Sequence, residues 1–105
     1  MNGQIDGAYN YFIPASDKHM AREKMRAKEL RHSQWWRNAV GKGRCYYCCN
    51  LFKARELTMD HIVPIVRGGK STKRNVVPCC KMCNNKKSYL LPVEWSDYLK
   101  KLSQS

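Results

Sequence analysis

Acidic residues are scarce in this chain. Eight Asp and Glu face 20 Lys and Arg over 105 residues, for a formal net charge of +12 at pH 7. A balance of that kind attracts a polyanion and says little about fold. Nucleic acid is the leading partner. An anionic membrane surface ranks second, because the basic residues are not paired with a long apolar face. Long apolar runs are missing too. No stretch approaches the ~20 residues of a transmembrane helix, which excludes a helical membrane span. The opening Met1-Asn2-Gly3-Gln4-Ile5-Asp6-Gly7 lacks the charged start and apolar run of a signal peptide, so a cytoplasmic location is expected. The aliphatic-rich stretches at 39–40, 51–57, 62–66 and 76–77 are short. One domain with one small core is the expectation, and such a core usually needs disulfides, a metal or a partner chain. Internal repeats and low-complexity tracts are absent.

What is present is cysteine, six residues of it. In a reducing compartment these read as metal ligands before disulfides. Cys45-Tyr46-Tyr47-Cys48 and Cys80-Lys81-Met82-Cys83 are two CxxC pairs, each putting two sulfurs at one turn. Together they make a closed shell of four thiolates, the arrangement of structural zinc. The 31 residues between Cys48 and Cys80 exceed the spacing of a compact finger, so the zinc would clamp the ends of an inserted segment. Pairing this way leaves Cys49 and Cys79 as spare thiols. A redox CxxC fits poorly, since two matched pairs without a βαβ pattern are not a thioredoxin arrangement.

Along the chain, residues 1–15 read as an irregular lead-in with Gly3, Gly7 and Pro14. Ser16 or Asp17 can cap a helix, and 18–38 has neither Pro nor Gly. That predicts one basic helix bearing Lys18, Arg22, Lys24, Arg26, Lys28, Arg31 and Arg37, ended by Gly41-Lys42-Gly43. Residues 1–40 thus form a lead-in and basic extension, 41–92 a core, and 93–105 a last helix and tail, all in one compact unit. Within the core, 51–58 is expected to hold a short strand. Met59 to Val66 suits an edge strand or extended loop because of Pro64, and Arg67-Gly68-Gly69-Lys70 reads as a loop. A helix should open through Lys81–Ser88. His19 and His32 read as solvated, and Trp35-Trp36 as packing between the basic helix and the core.

Between the cysteine pairs lie Asp60-His61-Ile62-Val63-Pro64, Gly68-Gly69, Asn75 and then Cys83-Asn84-Asn85-Lys86-Lys87. Hydrolysing a phosphodiester needs an activated water and stabilised charge on the phosphoryl and leaving oxygens. His61 titrates near neutrality and can accept water's proton. Asp60 offers a hard oxygen ligand for Mg²⁺ or Mn²⁺, and Asn84 can add an amide oxygen. Neighbours on a strand point to opposite faces, so Asp60 and His61 need a kink or a strand end to serve one site.

In this ordered set the chain resembles the HNH endonuclease family, in its branch with a four-cysteine zinc site, over about residues 44–88. The resemblance implies a small α+β, ββα-metal (treble-clef-like) fold: two strands bearing Asp60-His61, a loop, then a helix carrying Asn84. It implies that Asn75 holds the backbone or ring near His61, against the plainer reading of an Asx turn. It also puts Lys87 one turn from Asn84, in reach of a phosphate. Arg67 is a further phosphate candidate on position alone. Members named for the motif often carry a final His where this chain has Asn84, which shifts the expected ion toward Mg²⁺ or Mn²⁺.

The function so indicated is a metal-dependent DNA endonuclease, with His61, Asp60, Asn75 and Asn84 as its catalytic set. Arg22, Arg26, Arg31, Arg37, Arg67 and Lys87 would be its DNA contacts. The alternative is a zinc-stabilised nucleic-acid-binding module without cleavage. It explains the charge and the cysteines but not the order of those four residues.

Overall fold

The computed structural model describes residues 12–104. Most of the lead-in expected over 1–15 lies outside them, and residues 12–15 form neither helix nor strand. Helix α1, Asp17–Arg31, begins where Ser16 accepts the His19 N–H at 3.1 Å. One helix through residue 38 is not what forms. Ser33 donates its hydroxyl to Leu30 O at 2.6 Å and accepts the Trp36 N–H at 3.2 Å. The same side chain thus closes α1 and caps α2, Gln34–Gly41.

The strand expected over 51–58 starts late. Leu51 makes a single bridge to Arg44, and Ala54–Glu56 coils into a 3₁₀ turn. Glu56 causes the coil by accepting the Lys53 N–H at 2.9 Å. Strand β1, Leu57–His61, then pairs antiparallel with β2, Val76–Cys80, in a register that sets Leu57 against Cys80 and His61 against Val76. Pro78 lacks a donor but is tolerated in a strand with one partner only. Cys80 ends β2 and caps α3, Lys81–Lys87, directly, so β1, β2 and α3 give the ββα order. Helix α4, Pro92–Ser103, takes Pro92 at its first turn and has the Leu91 N–H on Glu94 Oε1 at 2.9 Å.

The described residues thus form a small α+β fold of a two-stranded sheet and four helices around a cysteine cluster. Its core holds Cys45, Leu57, Cys79 and Cys80, with Val40, Tyr47, Phe52 and Cys83 packed against them. The basic extension is docked on this core. Ala15 N donates to Val66 O at 2.8 Å, and His19 Nε2 donates to Gly69 O at 2.9 Å. His19 is therefore a tie between α1 and the loop, not a solvated side chain. His32 is exposed, as its sequence suggests. Gly69 is buried where a Cβ would run into the Val63 carbonyl, so the loop closes this tightly only with glycine. Trp36 is buried and Trp35 half-buried, with the Lys73 ammonium 5.6 Å from its ring.

Candidate active site and metal cluster

The two CxxC pairs come together. The ligand sulfurs of Cys45, Cys48, Cys80 and Cys83 all lie within 4.8 Å of one another, and Cys48 and Cys80 are 4.0 Å apart. A tetrahedral zinc with bonds of about 2.3 Å holds its sulfurs about 3.8 Å apart, so the four cysteines fit a structural metal such as zinc. Both turns are built for sulfur. The Cys80 N–H points at Cys45 Sγ and the Cys83 N–H at Cys80 Sγ, each at 3.4 Å. Burial works against the Cys45 thiolate, but backbone N–H groups of Cys48, Cys80 and Tyr47 outweigh it and bring the thiol down to about 6. A spare thiol behaves oppositely. Cys79 is fully buried, and burial pushes its thiol up, leaving it a small apolar filler. Cys49 is exposed at the end of the first knuckle, with φ of 63°.

At the His61 end of β1, away from the Leu57–Cys80 pair, lies a cleft of about 210 Å³, lined by Met59, Asp60, His61, Pro64, Ile65, Asn84 and Ser88. Asp60 and His61 share it because His61 is the last residue of β1, where the chain leaves the alternating strand pattern. Asp60 is buried, and its Oδ2 accepts the Tyr47 hydroxyl at 2.6 Å. The Lys87 ammonium lies 3.3 Å from the same oxygen. Burial, with the Asp60 charge adding to it, pushes the Tyr47 phenol far up, so it stays a donor. Both contacts fall on Oδ2, so Oδ1 is the carboxylate oxygen that could serve an ion. Burial lowers the His61 imidazole below the usual histidine value; Asp60 opposes that and Arg31 adds to it. The lowering favours the neutral ring, the form that can accept a proton.

Asn84 reaches the cleft from α3, and its amide has one orientation. Thr58 donates its only hydroxyl proton to Cys79 O at 2.9 Å, so it must accept from Asn84 Nδ2, 3.0 Å away. That turns the amide nitrogen to Thr58 and leaves Oδ1 as the atom that could ligate a cation. Asp60 Oδ1 and Asn84 Oδ1 are hard oxygens and suit Mg²⁺ or Mn²⁺. Asn75 meets the chain just past His61. Its Oδ1 accepts the Val63 N–H at 2.9 Å, while its Nδ2 donates to Val63 O at 3.0 Å and Lys70 O at 2.8 Å.

Two expected phosphate contacts are placed elsewhere. Lys87 is fully buried and gives its ammonium to Asp60 and to His61 O at 3.1 Å, so it offers no surface charge to DNA. Arg67 forms a two-pronged pair with Glu94 at 3.0 and 3.2 Å and stacks its guanidinium 4.2 Å from the centre of the Phe12 ring. It fastens the loop to α4. Arg22 and Arg26 are half exposed and both pair with buried Glu23, at 3.5 and 2.8 Å. Arg31 and Arg37 are exposed, and Arg31 Nη1 lies 3.9 Å from Met59 Sδ, on the cleft's wall. Tyr47, Thr58, Glu23 and Ser71 all touch these residues and carry no local motif of their own; Tyr47 lies between Cys45 and Cys48, in a pattern that marks only the cysteines.

A family model described as HNH endonuclease matches residues 45–97, half of the chain. The chain belongs to the HNH endonuclease family. No curated protein matches it in sequence. The matched span runs from the first cysteine to the middle of α4 and so contains the whole cluster and cleft. For an HNH domain, nuclease activity with a metal is the function that the family supports, and nucleic acid the general substrate class. No helix among the described residues is long and apolar enough to cross a membrane.

Proposed function

We propose that this HNH domain is a DNA endonuclease that hydrolyses phosphodiester bonds, and that its cysteine cluster holds zinc. One observation carries the reading: His61, whose burial favours the neutral ring, lines one cleft with Asp60 and Asn84, whose Oδ1 atoms are not the ones engaged by Tyr47, Lys87 and Thr58. These two would hold Mg²⁺ or Mn²⁺. Such an ion, when bound, polarises the phosphoryl oxygens and the leaving oxygen. His61 takes the proton of the attacking water, whose oxygen bonds to phosphorus as the bond to the 3′ oxygen breaks. Asn75 supports the loop behind His61, and Arg31 at the rim can meet a phosphate. A net charge of +12 suits a nucleic-acid polyanion, which on this proposal is DNA.

One site cuts one strand, so nicked circles are the expected product of supercoiled plasmid with Mg²⁺ and none should form in EDTA. The Lys87 ammonium against Asp60 favours a second reading, a zinc-stabilised binding module in which lysine takes the ion's place. Retardation of plasmid without nicking at any Mg²⁺ or Mn²⁺ concentration would select it.

A further inference from the structure

Ser71 is a residue with no role in the catalytic set, yet it touches His61. Its Oγ lies 2.9 Å from His61 Nε2. The hydroxyl carries one proton, and that proton goes to the backbone carbonyl of Glu23 at 2.6 Å. A carbonyl only accepts, so the direction of this bond is fixed. Ser71 Oγ then meets the imidazole with lone pairs alone, and Nε2 must bring the hydrogen.

Glu23 grips Ser71 a second time. Its carboxylate Oε1 accepts the Ser71 N–H at 2.7 Å. Glu23 and Ser71 are both buried, 1% and 9% exposed, so little water reaches the site to replace either bond. The carboxylate is itself held by Arg26 at 2.8 Å and Arg22 at 3.5 Å. The Ser71 N–H holds its pKa low against the cost of burial, with Arg26 adding to the effect. A continuous series of bonds thus joins the cationic face of α1 to the ring at the end of β1.

We propose that Ser71, seated by Glu23, is the positioning residue of His61: it fixes the ring's orientation and its Nε2–H tautomer, leaving Nδ1 as the one nitrogen able to take a proton. This rests on the reading of His61 as the base. It also gives the basic helix a second task. Besides meeting phosphates, α1 supplies the carbonyl and carboxylate that align the ring, which explains why two surface arginines converge on a buried glutamate. A purely structural tie between α1 and the loop would need only the Glu23–Ser71 bonds, and the nicking rate would be indifferent to the Ser71 hydroxyl.

The test is nitrogen NMR of the zinc-loaded full chain, labelled in histidine, at pH 8 without added divalent ion, beside plasmid-nicking kinetics. The wild type should show His61 protonated at Nε2 alone. In Ser71→Ala the two ring-nitrogen shifts should move toward each other as the other tautomer is admitted. The nicking kcat should fall about 10–100-fold, the range for losing a partner that orients a working imidazole, with KM for DNA and zinc content unchanged. Ser71→Thr, which keeps the hydroxyl, should recover both readouts. A wild-type ring protonated at Nδ1 overturns the proposal without any variant. So does an unaltered spectrum in Ser71→Ala, or a folded, zinc-loaded Ser71→Thr that recovers neither readout. If Ser71→Ala shifts the spectrum at full kcat, His61→Ala separates the causes. An inactive His61→Ala overturns the positioning role, and an active one overturns the base reading itself.

Discussion

Lys87 holds its ammonium 3.3 Å from Asp60 Oδ2 although the two side chains are only 1% and 6% exposed. A buried charge of this kind is stable only while its partner remains. On the proposed reading, Lys87 also competes with the divalent ion for the Asp60 carboxylate.

Lys87→Met separates those effects. Removing one member of a buried pair costs about 3–5 kcal/mol, so the variant should melt at a clearly lower temperature. Its Asp60 should nevertheless bind Mg²⁺ or Mn²⁺ more tightly, because the nearest competing cation is gone. Calorimetric melting and ion titration check the two directions. A variant as stable as the parent would mean that the ion pair contributes nothing.

The cysteine cluster predicts a dependence on metal for folding. A structural zinc supplies much of the folding free energy of a small domain, and in this cluster it would join the first knuckle to the β2–α3 junction. Chelation, or Cys80→Ser, should remove stoichiometric zinc and most of the helical circular dichroism together. A folded Cys80→Ser protein retaining one zinc per chain would overturn the four-cysteine assignment.

The basic helix makes a prediction about salt. Each phosphate neutralised adds about −0.9 to the log–log slope of affinity against salt. Lys24 and Lys28 are exposed, so charge reversal at both should flatten the slope while leaving the melting temperature near that of the parent. Arg22→Glu with Arg26→Glu should flatten it too, but should also lower the melting temperature, since both sit against Glu23. An unchanged slope at Lys24 and Lys28 would make that face merely solvated.

These contacts also show where sequence reasoning stops. The cysteine pairs, the Asp60-His61 step and the helix from Lys81 were legible because each is a local pattern with a fixed spacing. The break at Ser33 was not, since a serine amid good helix formers gives no sign that its hydroxyl will cap a new helix. Arg67, on its position, and Lys87, through the family resemblance, were expected to meet phosphate, as arginine and lysine are seldom buried. Their burial depends on Glu94 and Asp60, 27 residues away in each case. The Glu23–Ser71 contact spans 48 residues, and no local period announces it.

Thr58 predicts a quieter effect at the proposed ion site. Its hydroxyl sets the Asn84 amide with Oδ1 free. Thr58→Val keeps the shape and removes that acceptor, so Asn84 can turn its nitrogen toward the ion. Mg²⁺ dependence of nicking should move to about 10–100-fold higher concentration, with the rate at saturating ion largely retained. Identical Mg²⁺ curves for variant and parent would remove Asn84 from the ion's ligands.

His61 and Asp60 are neighbours with different proposed tasks, and metal titration can tell them apart. His61→Ala removes the proton acceptor while leaving the cysteine cluster and the cationic face of α1 in place. The expected loss is about 10²–10⁴-fold in nicking rate, with DNA affinity and zinc content unchanged. Asp60→Ala should be as slow, but through weakened ion binding, so raised Mg²⁺ or Mn²⁺ should recover part of its rate. It should also be less stable, because Lys87 is then left buried without its partner. No ion concentration can return a lost proton acceptor, so His61→Ala should stay slow throughout the titration. If His61→Ala nicks plasmid as fast as the parent, the base lies elsewhere. If both variants recover equally with metal, His61 serves the ion rather than the water.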